Sequence, residues 1–139
     1  MTARYPLVIN GTTVEEIQTG DTYNIVSGST ITNPTVTNYT ETLYTANTGS
    51  AITVALTNGT VQQLTLTANT TITMPTAAAG KSFVIMLATG TGGFTVTWTT
   101  VKWAGGTAPT ITATASKQDM FSFFSDGTNW YGCTLGQSY

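Results

Sequence analysis

The side chains able to take part in bond making are few. The chain carries six carboxylates, four cations, one thiol and no histidine. Hydrolysis of a glycosidic bond needs two carboxylates facing each other across it, roughly 5–10 Å apart. The candidates are Glu15, Glu16, Asp21, Glu41, Asp119 and Asp126. Glu15 and Glu16 are adjacent, so on a strand or a helix they cannot face one another. Asp126 belongs with Gly127 to a turn, and Asp119 opens a strand. The carboxylates also lack the spacing of a calcium loop. Without histidine there is no Ser-His-Asp triad and no imidazole metal site. Cys133 has no neighbouring base to make it a nucleophile. It reads as a small buried or half-buried strand residue, and being the sole cysteine it forms no intrachain disulfide. Gly80-Lys81-Ser82 ends like a phosphate-binding loop, but the upstream glycine is missing and no helix follows. The expectation is a chain with no catalytic residue, no metal and no cofactor: not an enzyme.

Binding chemistry leaves more room. Trp98, Trp103 and Trp130 could line a glycan surface by stacking on sugar faces, but tryptophans also dominate core and subunit-interface packing, which is the stronger expectation. Four basic against six acidic residues give a net charge of −2 and no basic stripe, which argues against nucleic acid as a partner. Charged residues make up only 7 % of the chain, and a surface so poor in charge favours association. The longest apolar run, Phe83 to Ala88, is strand-sized and too short to span a membrane. The N-terminus has no apolar segment of the secretory kind, so synthesis in a cytoplasm is expected.

The elements that would position these residues are strands. Threonine supplies 34 of the 139 residues, and its β-branched side chain suits a pleated surface better than a helix. Ile52-x-Val54-x-Leu56 alternates strictly and is followed by the turn dipeptide Asn58-Gly59. Val61 to Leu66, Thr70 to Met74, Phe94-x-Val96-x-Trp98, Val101-x-Trp103 and a weaker Ile111 to Ala115 read as further strands. Ser82 to Thr89 is nearly all apolar, the mark of a strand buried on both faces. Met120 to Ser125 and Thr128 to Thr134 flank Asp126-Gly127, which predicts a two-residue hairpin of type I′. Short strands with frequent turns predict an all-β fold, an antiparallel, jelly-roll-like β-sandwich over 42–139. Threonine clusters such as Thr95-Val96-Thr97 recur at no fixed period, which argues against a solenoid and against a flat ice-binding face.

Residues 1–41 differ. Leu7-Val8-Ile9 precedes the turn pair Asn10-Gly11, and Val14-Glu15-Glu16-Ile17 has room for one helical turn at most. The stretch is too lean for a core of its own, so it is expected to form an extended N-terminal arm ordered on a neighbour. Its apolar residues Tyr5, Leu7, Val8, Ile9, Val14 and Ile17 are the candidate partner interface.

Leu7-Val8-Ile9-Asn10-Gly11 through Glu16-Ile17-Gln18-Thr19-Gly20-Asp21-Thr22 resembles the opening segment of many bacteriophage virion proteins, especially tail-fibre and head-decoration proteins. Gly92-Gly93-Phe94-Thr95-Val96-Thr97-Trp98, Val101-Lys102-Trp103 and the stretch from Phe121 to Gly132 are similar to the glycine-aromatic strands of small β-sandwich domains in the same proteins. Tyr23 departs from the pattern, where such segments often carry leucine. The resemblance implies assembly into a virion, commonly as a homotrimer, and specifies no chemistry. A short chain with an apolar-seeded arm suits a capsid decoration, or cement, protein whose partners are its own copies and the major capsid protein on the capsid surface. The alternative is a short tail-fibre or receptor-binding accessory protein that holds a host-surface glycan.

Overall fold

The computed structural model describes the strand backbones of residues 7–10 and 13–16, and every residue from 30 to 139. The chain divides into two units, Met1–Asn38 and Tyr39–Tyr139. In the first, β1 (Leu7–Asn10) pairs antiparallel with β2 (Thr13–Glu16), setting Ile9 opposite Val14. The helical turn expected over Val14–Ile17 is therefore replaced, as far as Glu16, by strand. Asn10-Gly11 supplies the turn chemistry for such a hairpin, and pairing with β1 satisfies backbone groups that one isolated helical turn would leave open. Residues 30–42 contain no strand and are exposed throughout.

The second unit is all-β, but its strands do not form an antiparallel jelly roll. They are β3 (Leu43–Asn47), β4 (Ala51–Thr53), β5 (Val61–Thr65), β6 (Thr70–Thr73), β7 (Ser82–Ala88), β8 (Val96–Thr99), β9 (Val101–Trp103), β10 (Gln118–Ser125) and β11 (Trp130–Gly136). Up to β8 the chain alternates between two sheets. Strands β3, β5 and β7 stack parallel in one, and β4, β6 and β8 stack parallel in the other. Each pair of strands is thus one coil of a short parallel solenoid, three coils in all. Antiparallel β10 and β11 then extend the first sheet, and β9 returns parallel to β11 at its edge, giving the order β3-β5-β7-β10-β11-β9.

The expectation against a solenoid is corrected by this register. Leu43, Val61 and Val84 are in line, 18 and then 23 residues apart, while Ile52, Ile72 and Trp98 are in line at 20 and then 26. Coils of unequal length stack as well as equal ones, because the extra residues leave at the corners. A search for a fixed period misses them. The corners are held by backbone bonds between successive coils: Thr48 N donates to Thr65 O at 2.9 Å, and Leu66 N to Ala88 O at 2.9 Å. Buried threonines add side-chain bonds there, with the Thr48 and Thr70 hydroxyls 2.8 Å apart and the Thr89 hydroxyl donating to Thr114 O at 2.7 Å.

Two other expectations are corrected. Residues 111–115 form no strand, because the Thr112 N–H and hydroxyl are engaged by Asp119 instead of a ladder. The β10–β11 hairpin closes with a four-residue loop, since Ser125 pairs with Trp130. Asp126 sets that loop through its side chain, its Oδ1 accepting the N–H groups of Thr128 at 2.8 Å and Asn129 at 2.7 Å.

The core lies between the two sheets. Leu64, Ile85, Leu87, Phe121 and Phe123 face inward from the larger sheet, and Ile72, with half-buried Trp98, from the smaller. The rings pack edge to face: Trp98 lies 5.3 Å from Phe121 and 5.5 Å from Trp103, and Phe83 lies 5.0 Å from Trp130. Such pairs add about 0.5–1.5 kcal/mol each beyond the area they bury.

Candidate interaction surface

Alternation along the strands of the six-stranded sheet sends one set of side chains into the core and the other outward. On β7 the inward set is Phe83, Ile85 and Leu87, all buried, and the outward set is Ser82, Val84, Met86 and Ala88. The outward side is therefore apolar too, and among the described residues only Tyr139, beside Ala88 and Gly136 at one end, lies against it. The expectation of a strand buried on both faces is met on one face only.

The register extends this face across the sheet. Leu43, Val61, Val84, Ser122 and Cys133 form one row, and Thr45, Gln63, Met86 and Met120 the next. A further row runs Ser82, Phe124, Tyr131 and Lys102. Val61, Val84, Met86 and Met120 are half-buried by their neighbours. Leu43, Phe124, Tyr131 and Leu135 are 43–53 % exposed. Cys133 is exposed on this face, which corrects its reading as a buried or half-buried residue. Its strand lies near the edge of the sheet, and its neighbour in the row is the small Ser122. A shallow groove of about 450 Å³ runs along the first row, lined by Glu41, Thr60, Val61, Ser82, Val84 and Ser122.

The carboxylates of this unit are each engaged locally. Glu41 accepts bonds from the hydroxyls of Thr60 and Tyr39. Asp119 is fully buried and accepts four: Thr112 N at 2.7 Å, Thr112 Oγ1 at 2.7 Å, Ser138 N at 3.0 Å and Gln137 Nε2 at 3.1 Å. Burial pushes its pKa up, but these bonds together outweigh burial and hold the carboxyl below its ordinary value. Asp126 is held far below the ordinary range by the Asn129 and Thr128 N–H groups and by the Tyr131 hydroxyl at 2.9 Å, and the Tyr131 phenol is correspondingly raised. Each carboxylate thus organises a loop or the C-terminal segment. Among the described residues no three of His, Cys, Asp and Glu converge.

The tryptophans fall into two places. Trp130 is buried, and its indole N–H donates to Pro75 O at 2.8 Å. Trp98 and Trp103 meet in the aromatic cluster, half-buried, with both indole nitrogens shielded from solvent and lacking an acceptor among the described residues. The three rings present no common surface: Trp130 packs with Phe83, while Trp98 and Trp103 pack on Phe121 and Phe123.

Of the arm residues, Leu7, Val8 and Ile9 stand on β1 and Val14 on β2, while Tyr5 and Ile17 lie outside the described residues. Glu15 and Glu16 fall on β1's and β2's pairing, opposite Val8 and Leu7, and Asp21 also lies outside the described residues. The outward row from Leu43 to Cys133 and the pair Met86–Met120 are not evident from the sequence as a site, because periodicity cannot assign neighbours between strands. The signal that does point to them is the unbroken apolar run of β7. No protein-family model, curated protein or solved structure matched this chain.

Proposed function

We propose that this chain is a non-enzymatic structural protein of a virus particle, a capsid decoration or cement protein that binds and stabilises the head shell as a homo-oligomer. The observation that carries this reading is the largely bare apolar face of the six-stranded sheet. Contiguous exposed apolar surface on a folded domain marks a place where another surface packs. The near absence of charge on the chain works in the same direction. The resemblance of residues 7–22 to the opening of phage virion proteins supplies the setting: made in the host cytoplasm, held on the capsid surface. In this reading the N-terminal unit contacts the shell, and many copies add their weak contacts through multivalency.

Electron microscopy of purified particles carrying a labelled version of the protein tests the location, with label over the head expected. A label confined to the tail would move the protein to a short tail-fibre role. One observation favours that second reading: coils stacked along one axis are how an elongated shaft is built. Deletion of residues 1–20 should leave Tyr39–Tyr139 folded and abolish binding to capsids. Equal occupancy by the truncated protein would defeat the role given to the N-terminal unit, and absence of the protein from the particle would defeat the whole reading.

A further inference from the structure

We propose that the outer face of the six-stranded sheet is covered by the same face of a second copy of this chain, about a two-fold axis running along the strands. The inference rests on the reading above that the protein works by association, and it names the surface and the partner.

Three observations lead to it. The first is strand chemistry. A strand covered on both sides carries a near-continuous apolar run, whereas one with a solvated side alternates, as the parallel strands of the smaller sheet do. Strands β3, β5 and β7 are parallel, and β7 is apolar on both of its sides.

The second is area. Seven residues of β7 at about 3.3 Å each, and six strands about 4.8 Å apart, give a face of roughly 500 Å² in flat projection. Two copies would cover about 1,000 Å² before side-chain relief is counted, the lower bound for a biological interface and the size of a weak, concentration-dependent one.

The third is the distribution of charge. The rows from Leu43 to Cys133 and from Thr45 to Met120 contain no charged side chain. Charge is confined to the rim. Glu41, two residues before Leu43, lines the groove beside Ser82 at the β3 edge. Lys102 ends the row Ser82–Phe124–Tyr131 at the β9 edge. A two-fold axis along the strands exchanges the ends of the order β3-β5-β7-β10-β11-β9, laying β3 over β9, β5 over β11 and β7 over β10. Levels are kept, so Glu41 of each copy meets Lys102 of the other. Val61 then lies over Cys133, and Met86 over Met120, placing four unbranched, adaptable side chains at the centre. An axis across the strands would instead set Glu41 against the neutral far end of its own strand in the second copy. Sheets packed face to face stand about 10 Å apart, within reach of a glutamate and a lysine at the edge. Asp126 stands at the end of the face past Phe124, where its carboxylate is bonded by its own loop and by Tyr131.

Light scattering on the full-length protein across micromolar concentrations tests the proposal. A mass of twice 14.6 kDa is expected. Met120→Glu should raise the dissociation constant at least tenfold and speed modification of Cys133 by a maleimide at least tenfold. Because a core-adjacent change can also disturb folding, the exposed charges provide a second arm. Glu41→Lys and Lys102→Glu should each weaken association at low salt by about threefold or more, and the double exchange should restore it. A monomeric wild type overturns the proposal, as does a mass indifferent to Met120→Glu or a double exchange that restores nothing. A monomer whose Cys133 is nevertheless protected also overturns it, placing residues 1–38 on the face. None of these readouts uses the particle. A monomer that binds capsids would sink the dimer and leave the proposed function standing, and a dimer that never binds particles would do the reverse.

Discussion

Replacing Asp119 by asparagine keeps the side chain's shape and turns one acceptor oxygen into a donor. The carboxylate is fully buried and receives two backbone N–H groups, Thr112 at 2.7 Å and Ser138 at 3.0 Å, one on each oxygen. The Thr112 hydroxyl and the Gln137 amide can reorient to accept from an asparagine NH₂, but a backbone N–H cannot. Whichever way the amide turns, one N–H is left facing a donor. The loss is one charge-assisted bond plus a buried unsatisfied group, about 3 kcal/mol. For a unit of this size that corresponds to roughly 10–20 °C in Tm. The damage should centre on the C-terminal segment, where Tyr139 and Gln118 exchange backbone bonds and the Gln137 amide reaches Thr110 O at 2.7 Å. Urea unfolding at neutral pH gives the magnitude, and amide exchange at Thr112 and Ser138 gives the place. The pH dependence carries a definite sign. The folded-state carboxyl is held below its ordinary value, so its contribution is complete above about pH 4. As pH falls through the folded-state value the wild type loses it, and the gap to Asp119→Asn narrows. An unchanged urea midpoint at neutral pH, or a gap that widens on acidification, would refute the reasoning.

Three further outcomes follow from the packing. Trp98→Ala removes a ring in contact with Trp103, Phe121 and Phe123 and should destabilise the domain by about 3–5 kcal/mol, read by thermal unfolding; a stable variant would show that the ring is not part of the core. At Gly132 an added methyl would stand 2.6 Å from the Trp103 ring, so Gly132→Ala should lower stability by about 1–3 kcal/mol and shift the tryptophan fluorescence, whereas no shift would dismiss that close approach. Asp126→Ala removes the acceptor that raises the Tyr131 phenol, so the titration of that tyrosine in near-UV absorbance should fall back towards about 10. A titration that does not move would mean the phenol is governed by something else.

Which parts of this fold were legible in the sequence follows from what each signal encodes. Alternation at Ile52-x-Val54, the run from Val61 to Leu66 and the β10 segment reports that a stretch is a strand with one buried side, and those strands are present. It carries nothing about which strand lies alongside. Asn58-Gly59 shows the difference. As a turn dipeptide between two strands it suggests a hairpin, yet here it ends the short 3-10 turn Leu56–Asn58 and sends the chain from the smaller sheet back into the larger, with Gly59 at φ 120°. A corner between sheets and a hairpin turn ask for the same residues. The Gln62 amide fixes the corner by donating to Ala55 O and Gly59 O, both at 2.9 Å, a contact that no local pattern announces. The buried Asp119 was equally hidden: its donors come from Thr112 and from Gln137 and Ser138, and only the folded chain brings those two segments to one carboxylate.

The same limit explains why the candidate surface had to be assembled from the structure while its cause was visible beforehand. An apolar residue is free-energetically wasteful on a wetted face, at roughly 25 cal/mol for each Å² left in water. A strand that carries Phe83, Ile85 and Leu87 inward and Val84, Met86 and Ala88 outward therefore implies two covering layers, and the described residues supply one. Met120 and Met86 stand side by side on the uncovered side, and Val61 continues the row from Val84. Were this side simply a solvated surface, threonine, so abundant elsewhere in the chain, would serve there without loss, as it does on the exposed strands of the smaller sheet at Thr53, Thr73 and Thr97. The choice of methionine and valine over threonine on the outward sides of β7 and β10, in a chain that uses threonine for a quarter of its residues, is the feature on which the proposed association rests. Substituting Val84 and Met86 by threonine should accordingly leave the fold and its thermal unfolding in the monomeric state intact while weakening self-association. Loss of folding instead would show that these side chains serve their own sheet alone.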